Sequence, residues 1–197
     1  MAQEGLARFI DRFTVEFVRV FPHPIERVWR ALTDPTELGA WCMPATVDLR
    51  IGGAYTFQGE AWGHILALDP PRLIKLGKKG VGVPSATDDN WMQYELEAIP
   101  DGTRMRFVEH WQEGPDYRAW AIQKFGKEAE GDRPGGPYSP FHPGTLAGWH
   151  AMFEDLGDLL DGATRPIHPG ESRWRALIEI YRPHIKAMLP PAPSSIA

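Results

Sequence analysis

The stretch Leu146–Gly162, LAGWHAMFEDLGDLLDG, decides how the rest of the chain is read. Leu146, Trp149, Phe153, Leu156 and Leu160 recur at steps of three and four, which is one apolar stripe at the helical period. Thr145 offers a cap before it, and Gly162 followed by Pro166 offers a stop. No other segment carries so sustained a helical signal, so one long helix must cover whatever apolar sheet the rest of the chain builds.

The segments before it alternate like strands. Phe13–Phe21 puts Phe13, Val15, Phe17, Arg19 and Phe21 on one face, apolar except for Arg19. Val47 and Leu49 alternate with polar neighbours. Gly52-Gly53 then turns the chain into a strand with Tyr55 and Phe57 on one face. Trp62, His64, Leu66 and Leu68 share the next face, and Leu73–Leu76 is a short strand. Met92, Tyr94, Leu96 and Ala98 face away from Gln93, Glu95 and Glu97, the mark of a half-solvated antiparallel strand. After the turn Pro100-Asp101-Gly102, Met105, Phe107, Glu109 and Trp111 oppose Arg104, Arg106, Val108 and His110. Two short helices interrupt this series. Pro24 opens the first, with Ile25, Val28, Trp29 and Leu32 on its buried stripe. Asp34-Pro35-Thr36-Glu37 reads as a cap, a first-turn proline and a capping-box glutamate for the second, which carries Leu38 and Trp41. The order is one strand, two short helices, six strands and a long helix. Segregated strands and helices predict an α+β fold with an antiparallel sheet. A curved sheet wrapped around one helix leaves a cavity between them.

The chain divides into a lead at 1–12, a domain at 13–162 with an insertion at 112–144, and an extension at 163–197. The insertion holds Tyr117, Trp120, Ile122, Phe125, Tyr138 and Phe141, too many large apolar groups for a solvated linker, and is expected to fold over the cavity mouth as a lid, the alternative being that these groups pack on the tail helix of Trp174 and Tyr181 or on a partner subunit. In the extension Trp174, Leu177, Ile178, Tyr181 and Ile185 predict an amphipathic helix distorted by Pro183, with a disordered end after Pro190.

A net charge of −5 gives no electrostatic footprint for nucleic acid. Cys42 is the single cysteine, so neither an internal disulfide nor a cysteine zinc cluster is available. The N-terminal MAQEGLARFIDRF lacks an apolar signal region. The stretch 134–153 is uncharged but carries four prolines, so no membrane span is expected and a cytoplasmic protein is. There is no GxSxG, no phosphate-binding loop and no dinucleotide fingerprint. His110, His142 and His150 lack ligand spacing for a metal.

HPIERVWRALTDPTELGAW, the double glycine in VDLRIGGAYTF, ILALDPPRLI, DGTRMRF and the long helix together resemble the START-like SRPBCC superfamily. Within it they resemble the branch related to the C-terminal domain of the activator of the heat-shock protein 90 ATPase. The resemblance spans Phe13–Gly162. It implies the helix-grip (birch-pollen-allergen-like) fold, a curved seven-stranded antiparallel sheet around a long C-terminal helix. The 112–144 insertion departs from the shorter connection usual in the family. What the resemblance implies is a pocket for a small hydrophobic or aromatic ligand, with no cofactor and no specific reaction. A cyclase- or hydrolase-like enzyme and a co-chaperone-like protein-binding module stay open, as does a homodimer, since fold does not choose among functions.

The residues expected to bound the pocket are Arg19, Tyr55, Phe57, Trp62, His64, Tyr94, Phe107, Glu109, Trp111, Trp149 and Phe153. Among them Arg19 and Glu109 are expected to form a salt bridge, because the first and last strands of this fold are neighbours and an unpaired Glu109 among apolar groups is costly. Cys42 is expected to be a small buried apolar group rather than a reactive thiol.

Overall fold

The computed structural model describes residues 5–58, 60–78, 89–112, 119, 122–123, 140–163 and 171–188, except for the side chains of 60–62, 171, 186 and 188. Among the described residues, eight strands form one antiparallel sheet. They are β1 (Arg8–Asp11), β2 (Thr14–Phe21), β3 (Ala45–Val47), β4 (Ala54–Phe57), β5 (Glu60–Asp69), β6 (Leu73–Lys78), β7 (Trp91–Ile99) and β8 (Gly102–His110). The sheet order is β1-β2-β8-β7-β6-β5-β4-β3, so every neighbouring pair is consecutive in the chain except β2 and β8. The extra strand over the seven expected is β1, a short edge strand paired with β2 through Arg8↔Glu16 and Phe9↔Val15. The helices are α1 (Ile25–Thr33), α2 (Pro35–Trp41), α3 (Pro143–Leu160) and α4 (Glu171–Met188). The sheet curves around α3, which makes this the helix-grip fold.

Local chemistry sets the joints. Asp34 caps α2, accepting from Thr36 N at 2.8 Å and Glu37 N at 3.0 Å, and Pro35 supplies the preset φ of the first turn. Glu37 does not close the expected capping box. Its carboxylate instead receives Arg27 and Arg30 from α1, fixing the angle between the two short helices. The α3 cap is His142 rather than Thr145; its Nδ1 accepts from Gly144 N at 3.1 Å, one turn earlier than expected. At the β3–β4 turn, a Cβ on Gly53 would sit 2.0 Å from the Asp48 carbonyl oxygen, so only glycine fits there.

The core lies between the concave sheet face and α3. Trp149, Phe153, Leu156 and Leu160 are buried against it as the stripe predicts. Phe107 on β8 sits at the centre of an aromatic cluster, 4.5 Å from Trp149, 5.1 Å from Phe153 and 4.9 Å from Tyr94 between ring centroids. Phe17 adds an edge contact to Phe153 at 5.4 Å. On the outer face Glu16 is buried between Arg8 and Arg106. Burial works to raise its pKa, but the two guanidinium groups outweigh that and hold it below the ordinary carboxylate range.

Helix α4 packs on α3 through Leu177, Tyr181 and Ile185, all buried, while Pro183 lies on its exposed side. The Tyr181 hydroxyl accepts from Ala7 N at 3.2 Å and meets His150 Nδ1 at 3.0 Å. His184 Nε2 donates to Ala7 O at 2.7 Å. Arg173 ties α4 to Glu154 and Asp155 of α3. The tail helix therefore fastens the N-terminal strand to the covering helix.

Candidate functional site

One cavity lies between the short helices, the β3–β7 half of the sheet and α3. Helices α1 and α2 supply Leu32 and Leu38, and the turn after α2 supplies Cys42 and Met43. Strands β3 and β4 supply Val47, Tyr55 and Phe57; β6 and β7 supply Ile74, Leu76, Met92 and Tyr94. Trp149 closes it from α3. Its volume is about 20 Å³, room for little more than one water.

Tyr55, Phe57, Tyr94 and Trp149 are therefore the expected residues that the structure brings to this cavity. Phe107 and Phe153 are buried behind Trp149. Glu109 lies beside the cavity rather than in its wall. Its Oε2 accepts from Trp149 Nε1 at 2.7 Å, and its Oε1 receives Lys78 Nζ. The Lys78 ammonium also stands 3.9 Å above the Trp111 ring, so Trp111 packs at this polar end.

The salt bridge expected between Arg19 and Glu109 does not form. The β2–β8 register pairs Arg19 with Met105 and Val15 with Glu109, which puts the two groups at different levels of the sheet. Lys78, the last residue of β6, takes the place expected of Arg19. Arg19 instead donates to Gly5 O and Val18 O and lies over the rings of Phe17 and Phe153 at 5.5 and 5.7 Å. His64 is exposed on the outer face, because Gly63 and Ile65 are the inward positions of β5. The Trp62 side chain lies outside the described residues, as do residues 113–118, 120–121 and 124–139 of the insertion expected to form a lid.

Sequence reasoning missed much of the wall. Leu32, Leu38, Val47 and Met92 lay on apolar faces and Ile74 and Leu76 in a short strand, but nothing separated core from cavity lining, and Met43 carried no signal of its own. Lys78 was legible in one way: Ile74, Leu76 and Lys78 continue a period of two, which aims the lysine inward.

The polar atoms of the wall are held neutral. Burial pushes the Cys42 thiol up to about 12. Burial, with the Glu109 charge in second place, raises the Tyr55 phenol. Burial raises Tyr94 well above its ordinary value, with Cys42, Glu109 and Tyr55 adding to it. At neutral pH all three carry their protons. His110, His142 and His150 are engaged separately, with Thr14, with the Gly144 amide and with Tyr181. No described helix is long and apolar enough to cross a membrane.

The family model described as activator of Hsp90 ATPase homolog 1-like protein matches residues 22–161. Solved structures share the fold. CalU16 from Micromonospora echinospora superposes with a TM-score of 0.61 at 22% identity, covering 89% of this chain and 87% of that one. EF2215 from Enterococcus faecalis, described as a conserved protein of unknown function, gives 0.59 at 16% identity, covering 96% and 94%. NE0264 from Nitrosomonas europaea gives 0.54 at 20%, covering 78% and 97%. At such identities the likeness is one of fold. No curated protein matches the chain. The chain belongs to the activator of Hsp90 ATPase homolog 1-like family, within the START-like SRPBCC group.

Proposed function

We propose that the protein binds a small, mostly apolar ligand in the space between the β3–β7 face, the two short helices and α3. The observation that carries this reading is the composition of the wall. Among the described residues it has no charged side chain, and its polar atoms are the Cys42 thiol, the Tyr55 and Tyr94 hydroxyls and the Trp149 indole N–H. A largely apolar enclosure with few polar groups is what small-molecule sites use. Domains of this fold commonly serve as ligand holders, which agrees with it.

The closed volume of about 20 Å³ sets a condition. A ligand enters only if the wall yields. Met43 and Val47 are the half-buried members, at the margin of the cavity, and a methionine side chain reshapes at little cost. Native mass spectrometry of freshly purified protein tests the reading. A co-purified organic mass, lost on denaturation, is expected. Bare protein whose tryptophan fluorescence and melting temperature ignore a panel of apolar probes would count against it.

The small volume also favours a second reading, a protein-binding module whose interior is simply packed. Val18 and Val20 stand next to each other on the outer face of β2, 42% and 55% exposed, and would belong to such a surface. A protein that never fills its cavity but associates through this face, and stops doing so on Val20→Lys, would shift the conclusion to that reading.

A further inference from the structure

The geometry points to an uncharged ligand that accepts a hydrogen bond from the Tyr94 hydroxyl, a small ketone, ester, lactone or ether on an apolar body. This rests on the cavity being the binding site. Three of the four polar groups in the wall are already committed. The Tyr55 hydroxyl donates to Gly77 O at 3.2 Å, the Trp149 N–H to Glu109 at 2.7 Å, and the Cys42 thiol is turned to the Met152 sulfur at 3.8 Å. Among the described residues no hydrogen bond reaches the Tyr94 hydroxyl, although the residue is only 6% exposed. The hydroxyl oxygen keeps some accessible surface, and a ligand oxygen that receives its proton gives this donor a partner inside an otherwise apolar enclosure.

Charge is excluded by the same wall. Among the described residues no cationic or anionic side chain lines the cavity. The nearest carboxylate, Glu109, is matched by Lys78 and has both oxygens occupied. An anionic ligand would lose its water and meet no counter-charge, and a cationic one would fare no better. Tyr94 itself stays protonated, since burial and the Glu109 charge both oppose the phenolate, so it offers a donor. The ligand must supply the acceptor.

Three matched probes separate these possibilities: acetophenone, ethylbenzene and benzoate, at millimolar concentration, followed by amide chemical shifts of the full chain. Acetophenone is expected to bind about fivefold or more tightly than ethylbenzene, the factor of one neutral hydrogen bond, with benzoate weakest. Tyr94→Phe should remove the preference by weakening acetophenone more than ethylbenzene. Tyr181→Phe, which alters a committed hydroxyl away from the cavity, should keep the preference and so control for general damage. Equal affinity for the two neutral probes in the unaltered protein, or tightest binding of benzoate, overturns the assignment to Tyr94 and leaves the cavity reading intact. Failure of all three to bind, even after Leu76→Ala enlarges the wall, overturns the cavity reading and this inference with it.

Discussion

Trp149 on α3 donates its indole N–H to Glu109 on β8 at 2.7 Å, and Lys78 on β6 completes the same carboxylate from the other side. One buried acid thus joins the covering helix to two separate strands. The Lys78 and Glu109 side chains are 9% and 3% exposed, so this pair is largely cut off from solvent. Lys78→Met leaves Glu109 as an uncompensated buried charge and is expected to cost about 3–5 kcal/mol. Adding Glu109→Gln should recover most of that loss. Urea denaturation of the single and double variants checks it; equal losses in both would show that charge pairing is not what Lys78 contributes.

Tyr181 is the corresponding fastening on the other side of α3. Tyr181→Phe keeps the ring contacts with His150 and His184 but removes the hydroxyl that takes the Ala7 N–H. That leaves a buried amide without its partner, at an expected cost of about 1–3 kcal/mol. Chemical denaturation measures it. A change within error would mean that water or a shifted His150 replaces the hydroxyl.

Much of this architecture was readable because period and burial agree. Met92, Tyr94 and Leu96 point inward on β7, and the α3 stripe is buried along its length. The reading of β5 failed for a physical reason. Its pairing is irregular between Ile65 and Ala67, and that of β4 with it between Tyr55 and Thr56. An irregularity of this kind shifts the alternation by one, so Ile65 is inside and His64 outside. Strand β1 escaped notice because it is four residues long and mostly exposed, so it leaves no alternation to read. The Arg19–Glu109 pairing failed on register, which depends on where the hairpins close and cannot be read from either strand alone.

Acid should loosen the junction of α3 and α4. The hydrogen bond with His150 is the largest influence on Glu154. Burial opposes it, Arg173 adds to it, and the pKa falls from 4.5 to about 2. The folded carboxyl therefore binds its proton less tightly than the unfolded one, and stability rises with pH between those values. The contribution is fully present above about pH 4.5 and is lost as pH falls towards 2. The side chain is 45% exposed, so solvent screening reduces the effect to about 1 kcal/mol or less. In Glu154→Gln the stability difference between pH 5.5 and pH 2.5 should shrink by that amount. An unchanged acid limb would assign the pH dependence to other carboxylates, Glu16 first among them.

Leu76 tests whether the cavity wall can accept a guest at all. It lies on β6, 7% exposed, facing the cavity between Tyr55 and Met92 in the lining. Leu76→Ala removes three heavy atoms from a packed wall, and such truncations cost about 2–5 kcal/mol, the amount growing with the void left behind. The new space adds to the existing 20 Å³. An apolar void of this kind stays dry and favours a small apolar guest over water. Benzene should therefore raise the melting temperature of Leu76→Ala more than that of the unaltered protein, because binding to the folded state alone stabilises it by mass action. If the variant loses stability yet shows no extra response, the wall has collapsed into the gap. The cavity would then be a packing defect between α2 and the sheet, and the protein-binding reading would gain.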